Sequence, residues 1–253
     1  MLKLIRKIAK PAPVSRVPAG LRVYAIGDIH GRADLLAALM RDIEADDRAR
    51  GPAELQLIFL GDLIDRGPRS AEVVEQAMRI AAAHPCRLLM GNHEEVFLKS
   101  LEGDERALRL FLRIGGRETI LSYGMDEATY NRLDYSELMA ELPKLVPAAH
   151  RSFLERFEDL IELGDYVFVH AGIRPEVPLG EQRANELRWI RDEFLDHPGP
   201  HPRVVVHGHT ITSEVEWRPY RIGIDTGAYA SERLTALALQ DDQRWTVATV
   251  PQA

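Results

Sequence analysis

The chain has 253 residues, of which 45% are hydrophobic and 28% charged, with a formal net charge of −7. This is an ordinary globular profile, with chain enough for one large domain or two small ones, and the acidic balance argues against a general nucleic-acid or acidic-membrane binder, which needs excess Lys and Arg. One cysteine, Cys86, excludes an intrachain disulfide and suits a reducing, cytoplasmic setting; at the start of an apolar run it reads as a buried structural thiol.

Residues 1–20 read as a solvated tail. Leu2, Leu4, Ile5 and Ile8 alternate with Lys3, Arg6, Lys7 and Lys10, without the long apolar stretch of a secretory signal. Pro11, Pro13, Pro18 and Gly20 then interrupt the chain. No apolar run approaches the length that spans a bilayer, so no stable membrane insertion is expected.

From Leu21 a pattern repeats. Residues 21–26 predict a strand, and Gly27-Asp28-Ile29-His30-Gly31 follows it. Residues 34–45 have helical spacing through Leu35, Leu36, Leu39, Met40 and Ile43. Residues 55–60 predict a second strand, ending in Gly61-Asp62-Leu63-Ile64-Asp65-Arg66-Gly67. A helix is expected over 70–83 with Ser70 as its N-cap. A third strand, 87–90, ends in Gly91-Asn92-His93-Glu94. Strand, loop and helix in alternation predict an α/β fold that delivers side chains at the carboxyl ends of its strands. The stretch 95–163 is Leu-, Glu- and Arg-rich and reads as a helical insertion, cut at Gly115-Gly116, Gly124, Pro143 and Pro147. Strands return at 166–169, before His170-Ala171-Gly172, and at 203–206, before His207-Gly208-His209. Further strands are expected at 220–224, 234–239 and 245–250, closing a single domain over 21–253.

Five blocks carry chemistry: Asp28/His30, Asp62/Asp65/Arg66, Asn92/His93, His170 and His207/His209. Each follows an apolar run with glycine beside it, so each sits where a strand ends and the backbone turns. Imidazole, carboxylate and amide oxygen suit borderline-hard divalent cations such as manganese, iron or zinc, and the lack of cysteine excludes a structural zinc site. A lone Asp-x-His after a strand is usually a capped turn. Five such blocks in one register relative to the strands point instead to a shared crevice.

In order and spacing, Gly-Asp-x-His-Gly, Gly-Asp-x-x-Asp-Arg-Gly, Gly-Asn-His-Glu, a lone His before Ala-Gly and a final Gly-His resemble the signature of the phosphoprotein phosphatase family, a branch of the calcineurin-like metallophosphoesterases. The motifs run from Gly27 to His209. The resemblance implies a sandwich of two mixed β-sheets flanked by helices, with the site along one edge. It implies two metal ions, manganese foremost, with Asp28 and His30 on the first, Asp62 bridging, and Asn92, His170 and His209 on the second. His93 is then the general acid held by Asp65, and Arg66 a phosphate clamp. Arg191, in Leu187-Arg188-Trp189-Ile190-Arg191, resembles the second phosphate arginine. Two such cations, ~3.5–4 Å apart, lower the pKa of a shared water to about 7 and provide a nucleophile for in-line attack on phosphorus.

His207 and His209 stand two apart at a strand end, a spacing that puts side chains on one face. The wider superfamily often reads Gly-His-x-His here, but position 211 is Ile. One donor fewer is therefore expected on the first metal, with water in its place, and His207 falls outside the ligand pattern. Ala171 after His170, and a short chain beyond the last block, point to the bacterial branch. The expected substrate is phosphoserine or phosphothreonine on a protein or peptide, with phosphotyrosine also considered. The alternatives are a symmetrical diadenosine tetraphosphatase and an inactive phosphopeptide-binding module.

Overall fold

The computed structural model describes residues 14–250, so the apolar-basic stretch 1–10 lies outside the described residues. In chain order the elements begin with β1 (Leu21–Ile26), α1 (Ala33–Ala49), β2 (Glu54–Phe59), α2 (Ser70–Ala83), β3 (Cys86–Leu88) and α3 (Asn92–Leu101). A helical block continues with α4 (Glu105–Ile114), α5 (Gly116–Ser122), α6 (Glu127–Arg132), α7 (Tyr135–Leu145) and α8 (Ala148–Leu154). Then come β4 (Leu160–Leu163), β5 (Tyr166–Val169), α9 (Ala184–Trp189), α10 (Asp192–Leu195), β6 (Val204–His207), β7 (Glu216–Trp217) and β8 (Arg221–Gly223). The last are α11 (Ala228–Ser231), β9 (Thr235–Gln240) and β10 (Gln243–Ala248).

Two five-stranded sheets result, in the orders β10-β9-β1-β2-β3 and β4-β5-β6-β8-β7. Both are mixed: β1, β2 and β3 run parallel, as do β5, β6 and β8, while β9, β10, β4 and β7 pair antiparallel at the flanks. The sequence dictates this layering. Alternate residues of a strand face opposite sides. In β1, Val23 and Ala25 enter the core between the sheets, against Phe168, Val206 and Ile222, whereas Tyr24 and Ile26 face Leu36, Leu39 and Val73 of α1 and α2. Across the second sheet, Val167, Val169 and Val205 turn outward onto Leu187 and Phe194. Strands apolar on both faces need cover on both faces, and the helices provide it. The architecture is the expected α/β sandwich of two mixed β-sheets flanked by helices.

The differences from the sequence reading are local. The helical stretch ends at Leu154, and 160–163 is β4, not helix; Leu-Ile-Glu-Leu fits either period when read alone. Pro143 lies inside α7 instead of breaking it. Pro143 has no N–H to give the Met139 carbonyl, and α7 ends two residues beyond it. Ser70 opens α2, but Arg69 holds the cap position. The Ser70 hydroxyl instead accepts the Asp65 N–H at 2.9 Å, in a loop of the site.

Because β1, β2 and β3 are parallel, their carboxyl ends share one edge, as do those of β5, β6 and β8. The loops leaving these ends carry Asp28, His30, Asp62, Asp65, Arg66, His170, His209 and Asp225, and α3 opens at Asn92 and His93 just after β3.

Candidate metal centre

Loops with this job need unusual backbone. His30, Asp62, Asp65, Arg66 and His209 all have left-handed φ, at 47, 51, 73, 66 and 62°. Such conformations cost about 1–3 kcal/mol each outside glycine and persist only where neighbours hold them. Here Glu94 does so. It is fully buried on α3, and its carboxylate accepts N–H groups from Asp62 and Leu63, both at 2.8 Å, and from Gly91 at 3.1 Å. Ile29 and His30 donate to the Asp62 carbonyl at 3.0 and 2.9 Å, stitching the first loop to the second. Gly208 is required by proximity: a Cβ there would collide with the Asp28 carboxylate.

Asp62 stands at the centre. Its Oδ2 lies 3.4 Å from His170 Nε2, 3.7 Å from His30 Nε2 and 3.8 Å from His93 Nε2. Two donor triads share it, His30/Asp62/His93 and Asp62/His170/His209, each with its ligand atoms within 4.8 Å of one another. Asn92 completes the second group, with Oδ1 2.8 Å from His209 Nδ1 and 3.0 Å from His170 Nε2. Asp28 belongs to neither triad. Its Oδ2 accepts the His209 N–H at 2.9 Å, and its Oδ1 is buried without a partner.

The donor set fits divalent cations. His30 and His170 each donate Nδ1–H to a backbone carbonyl, of Ile64 and Leu60, both at 2.8 Å. That tautomer turns the Nε2 lone pair inward, the arrangement of a metal-ligating histidine. In the second group His170 Nε2, Asn92 Oδ1 and Asp62 Oδ2 converge; burial opposes protonation of His170, but Asp62 outweighs it and raises the His170 pKa, so this gap attracts positive charge, a proton or a cation. His30 Nε2 and Asp28 Oδ1 are buried without partners.

Charge is distributed to match. Burial would raise the Asp62 pKa, but His170 and His93 hold it well below the usual carboxylate range. Burial drives His30 well down and His209 to about 2, so both rings are neutral donors. Burial first, then Asp225 and Asp62, push Asp28 well up. Burial, with Asp62 beside it, brings Glu94 to about 7.

His93 differs in kind. Its Nδ1 donates to Asp65 Oδ2 at 2.6 Å, and both side chains are buried. Asp65 is in turn fixed by the Thr119 hydroxyl, which donates to Oδ1 at 2.5 Å. His93 Nε2 accepts from Arg66 Nη2 at 3.2 Å. Burial opposes protonation of His93, yet Asp62 and Asp65 outweigh it and raise its pKa. The ring can therefore hold a proton at Nε2 once Arg66 swings to another anion. Arg66 also lies 5.0 Å from the ring centre of Tyr229, whose ring meets that of His30 at 5.6 Å. Arg191 is exposed and close enough to His209 to depress its pKa further. Arg188 is held in ion pairs with Asp159 and Glu95.

His207 does not join the cluster, because the two-residue spacing does not hold at this strand end. β6 ends at His207, and the left-handed turn at His209 breaks the two-residue period. His207 is buried edge-on to Phe194, behind the second sheet. Four contributors escaped the sequence reading: Glu94, Thr119, Asp225 and Tyr229. Glu94 lay within a quoted motif; the other three had no signal beyond ordinary helix and turn composition.

The calcineurin-like phosphoesterase family model matches residues 21–238. The chain belongs to this family and is a metallophosphoesterase hydrolase. Among its relatives, the asymmetrical bis(5'-nucleosyl)-tetraphosphatase PrpE of Anoxybacillus flavithermus is 26% identical over 234 residues, covering 84% of this chain and 88% of that protein. The serine/threonine-protein phosphatase BSL2 of Arabidopsis thaliana is 26% identical over 147 residues, covering 57% of this chain and 14% of that one. Among solved structures, a protein provisionally assigned as a diadenosine tetraphosphatase superposes with a TM-score of 0.64 at 20% identity, covering 96% of this chain and 97% of that one. A protein serine/threonine phosphatase of Saccharomyces cerevisiae does so at 0.56 and 17%, covering 93% and 82%. At these identities the structures speak to the fold alone. Among the described residues, no helix is long and apolar enough to cross a membrane.

Proposed function

We propose that the chain is a phosphomonoesterase acting on phosphoserine or phosphothreonine in proteins or peptides, and on phosphotyrosine as a lesser substrate. The observation that carries this reading is the buried His93–Asp65 pair, 2.6 Å apart, set beside Arg66 at the edge of the donor cluster. A serine or threonine alkoxide is a poor leaving group and must be protonated as it departs. A nucleotide phosphate leaves readily without that help.

Asp28, His30 and Asp62 would hold one cation, and Asp62, Asn92, His170 and His209 the other. When bound, the pair supplies Lewis acidity and an ionised water at neutral pH. The chain's own residues do the rest. Arg66 moves from His93 to the phosphate oxygens, and Arg191 reaches them from the His209 side. Freed of Arg66, His93 Nε2 carries the proton to the leaving oxygen, while Asp65 holds Nδ1 and stabilises the imidazolium.

A second reading has its own support: PrpE matches over 84% of this chain, far more than the serine/threonine phosphatase BSL2 does. It would make the substrate a dinucleoside tetraphosphate. PrpE is named for asymmetrical cleavage, unlike the symmetrical reaction weighed above. The deciding experiment assays the manganese-loaded protein side by side on phosphoserine, phosphothreonine and phosphotyrosine peptides and on diadenosine tetraphosphate. A kcat/KM on the dinucleotide at least tenfold above every peptide would overturn the first reading. The products, mono- plus triphosphate or two diphosphates, would then name the cleavage.

A further inference from the structure

Asp225 follows the last residues of β8 and is 1% exposed. Its Oδ1 accepts the Gly227 N–H at 2.9 Å, fixing the turn. Its Oδ2 is buried and has no partner. Asp28, 2% exposed, is in the same condition, with Oδ2 satisfied by His209 and Oδ1 bare. Among the described residues, neither carboxylate makes an ion pair with Lys or Arg. Both lie in the same electrostatic neighbourhood: Asp225 raises the pKa of Asp28 more than Asp62 does, and itself feels Asp62, His170 and Arg66.

Two adjacent buried carboxylates, each with a free oxygen, are strongly unfavourable unless something positive lies between them. The backbone brings the two residues side by side: a Cβ on Gly27, which precedes Asp28, would lie 2.7 Å from the carbonyl oxygen of Ile224, which precedes Asp225, although neither carboxylate belongs to the two 4.8 Å triads. Thr212 donates its N–H to the Asp225 carbonyl at 3.0 Å, drawing the loop after His209 against the Asp225 turn. On that loop Ile211 is 46% exposed, packs over Gly227, and offers no donor atom. The bare oxygen of Asp225 is thus two residues from Gly227, the residue that Ile211 covers.

We propose that Asp225 Oδ2 is a ligand of the first cation, completing with Asp28, His30 and Asp62 a four-residue set of three carboxylates and one imidazole. This replaces the water expected there from the sequence. A set so rich in carboxylate oxygen favours harder ions such as manganese or magnesium over zinc. The proposal rests on the two-cation reading of the centre.

Asp225→Asn tests it, because Asn keeps an oxygen for the Gly227 N–H and nearly the same shape. Manganese binding is measured by equilibrium dialysis with elemental analysis, and the pair by electron paramagnetic resonance. The wild type is expected to bind two ions per chain with a spin-coupled spectrum. At a manganese concentration that just saturates the wild type, Asp225→Asn should bind one ion and lose the coupling. Affinity at the first site should fall at least about 10–100-fold, the range seen even for groups that only support a ligand, and at the second site by less than threefold. The metal-free variant should melt no lower than the metal-free wild type, since a buried repulsion has been removed. Asp225→Glu should recover part of the affinity. Two ions bound by Asp225→Asn with wild-type affinity would overturn the proposal. A wild type that takes up no manganese would refute the two-cation reading along with it. If Asp225→Asn does not fold, Asp225→Ser, which can also accept the Gly227 N–H, decides by the same titration.

Discussion

Replacing His93 by Asn removes the proton carrier while sparing its surroundings. The backbone N–H of His93 donates to Asp62 Oδ1 at 3.1 Å, a contact that any residue at 93 can make, so Asp62 stays in place. A positioned general acid contributes ~10²–10⁴-fold, which is about 2.7–5.4 kcal/mol of barrier at 1.36 kcal/mol per tenfold. The full loss is expected on a phosphoserine peptide. On an aryl phosphate, whose leaving group needs less protonation, the loss should be at least tenfold smaller. The variant should also melt a few degrees lower, because Asp65 keeps Thr119 but loses its imidazole partner deep in the protein, worth about 1–3 kcal/mol. The assay is steady-state kcat on both substrates, with metal content determined on the same samples. Equal losses on the two substrates would refute the acid role. So would the loss of one metal equivalent, since His93 shares a 4.8 Å triad with His30 and Asp62 and would then be a ligand.

Chelation should abolish activity and lower the melting temperature, and manganese should restore both. Ligand saturation at ~1,000 Kd adds about 4 kcal/mol, which for a chain of this size is roughly a 10 °C shift; no shift would argue against a resident cation. His209→Ala should empty the second site, whereas His207→Ala should leave both filled and lower stability through lost packing on Phe194; metal analysis showing the reverse would exchange their roles. Cys86 is half-buried, not fully enclosed as expected, yet burial pushes its thiol up to about 12, so alkylation of the native protein at pH 8 should run much slower than in urea. Since the folded value lies above the unfolded one, near 8.5, Cys86 leaves stability unchanged below about pH 8 and weakens the fold only as pH rises further; rapid native alkylation would contradict its burial.

The parts of this site that could be read from sequence were those with a one-dimensional signature. Glycine beside Asp, Asn or His, just after an apolar run, places a donor at a strand end whatever the rest of the chain does. β1, β2, β5 and β6 therefore came within a residue or so of their bounds, and the histidines of the triads came with them. β4 did not, because four residues cannot separate a strand period from a helix period. β7, with two residues, has no period at all. Asp225 was hidden by its context: Asp-Thr-Gly after a strand is ordinary turn composition, and only the bare Oδ2 gives it meaning. Thr119 is more remote still. It lies on α5, 54 residues from the Asp65 it supports, a separation no local pattern spans.

The site is held together although its own charges oppose it. Asp28, Asp62, Asp65, Glu94 and Asp225 place five carboxyl groups in one buried region. Five neighbouring residues carry left-handed backbone. Glu94 compensates on the protein side, drawing the amides of Asp62, Leu63 and Gly91 into an anion nest, and so fixes the loop that carries the shared ligand. Asp28 and Asp225 each accept only one amide, from His209 and Gly227, and among the described residues their other oxygens have no partner. Their opposing charge has to come from outside, and the bare oxygens show where. The sandwich beneath is apolar and independent of this balance, which is how the fold can tolerate a strained, like-charged centre at the ends of its strands. Binding and stability are thereby linked at the loops, not in the core, so the ions are expected to order the 61–67 and 208–212 segments far more than the sheets that present them.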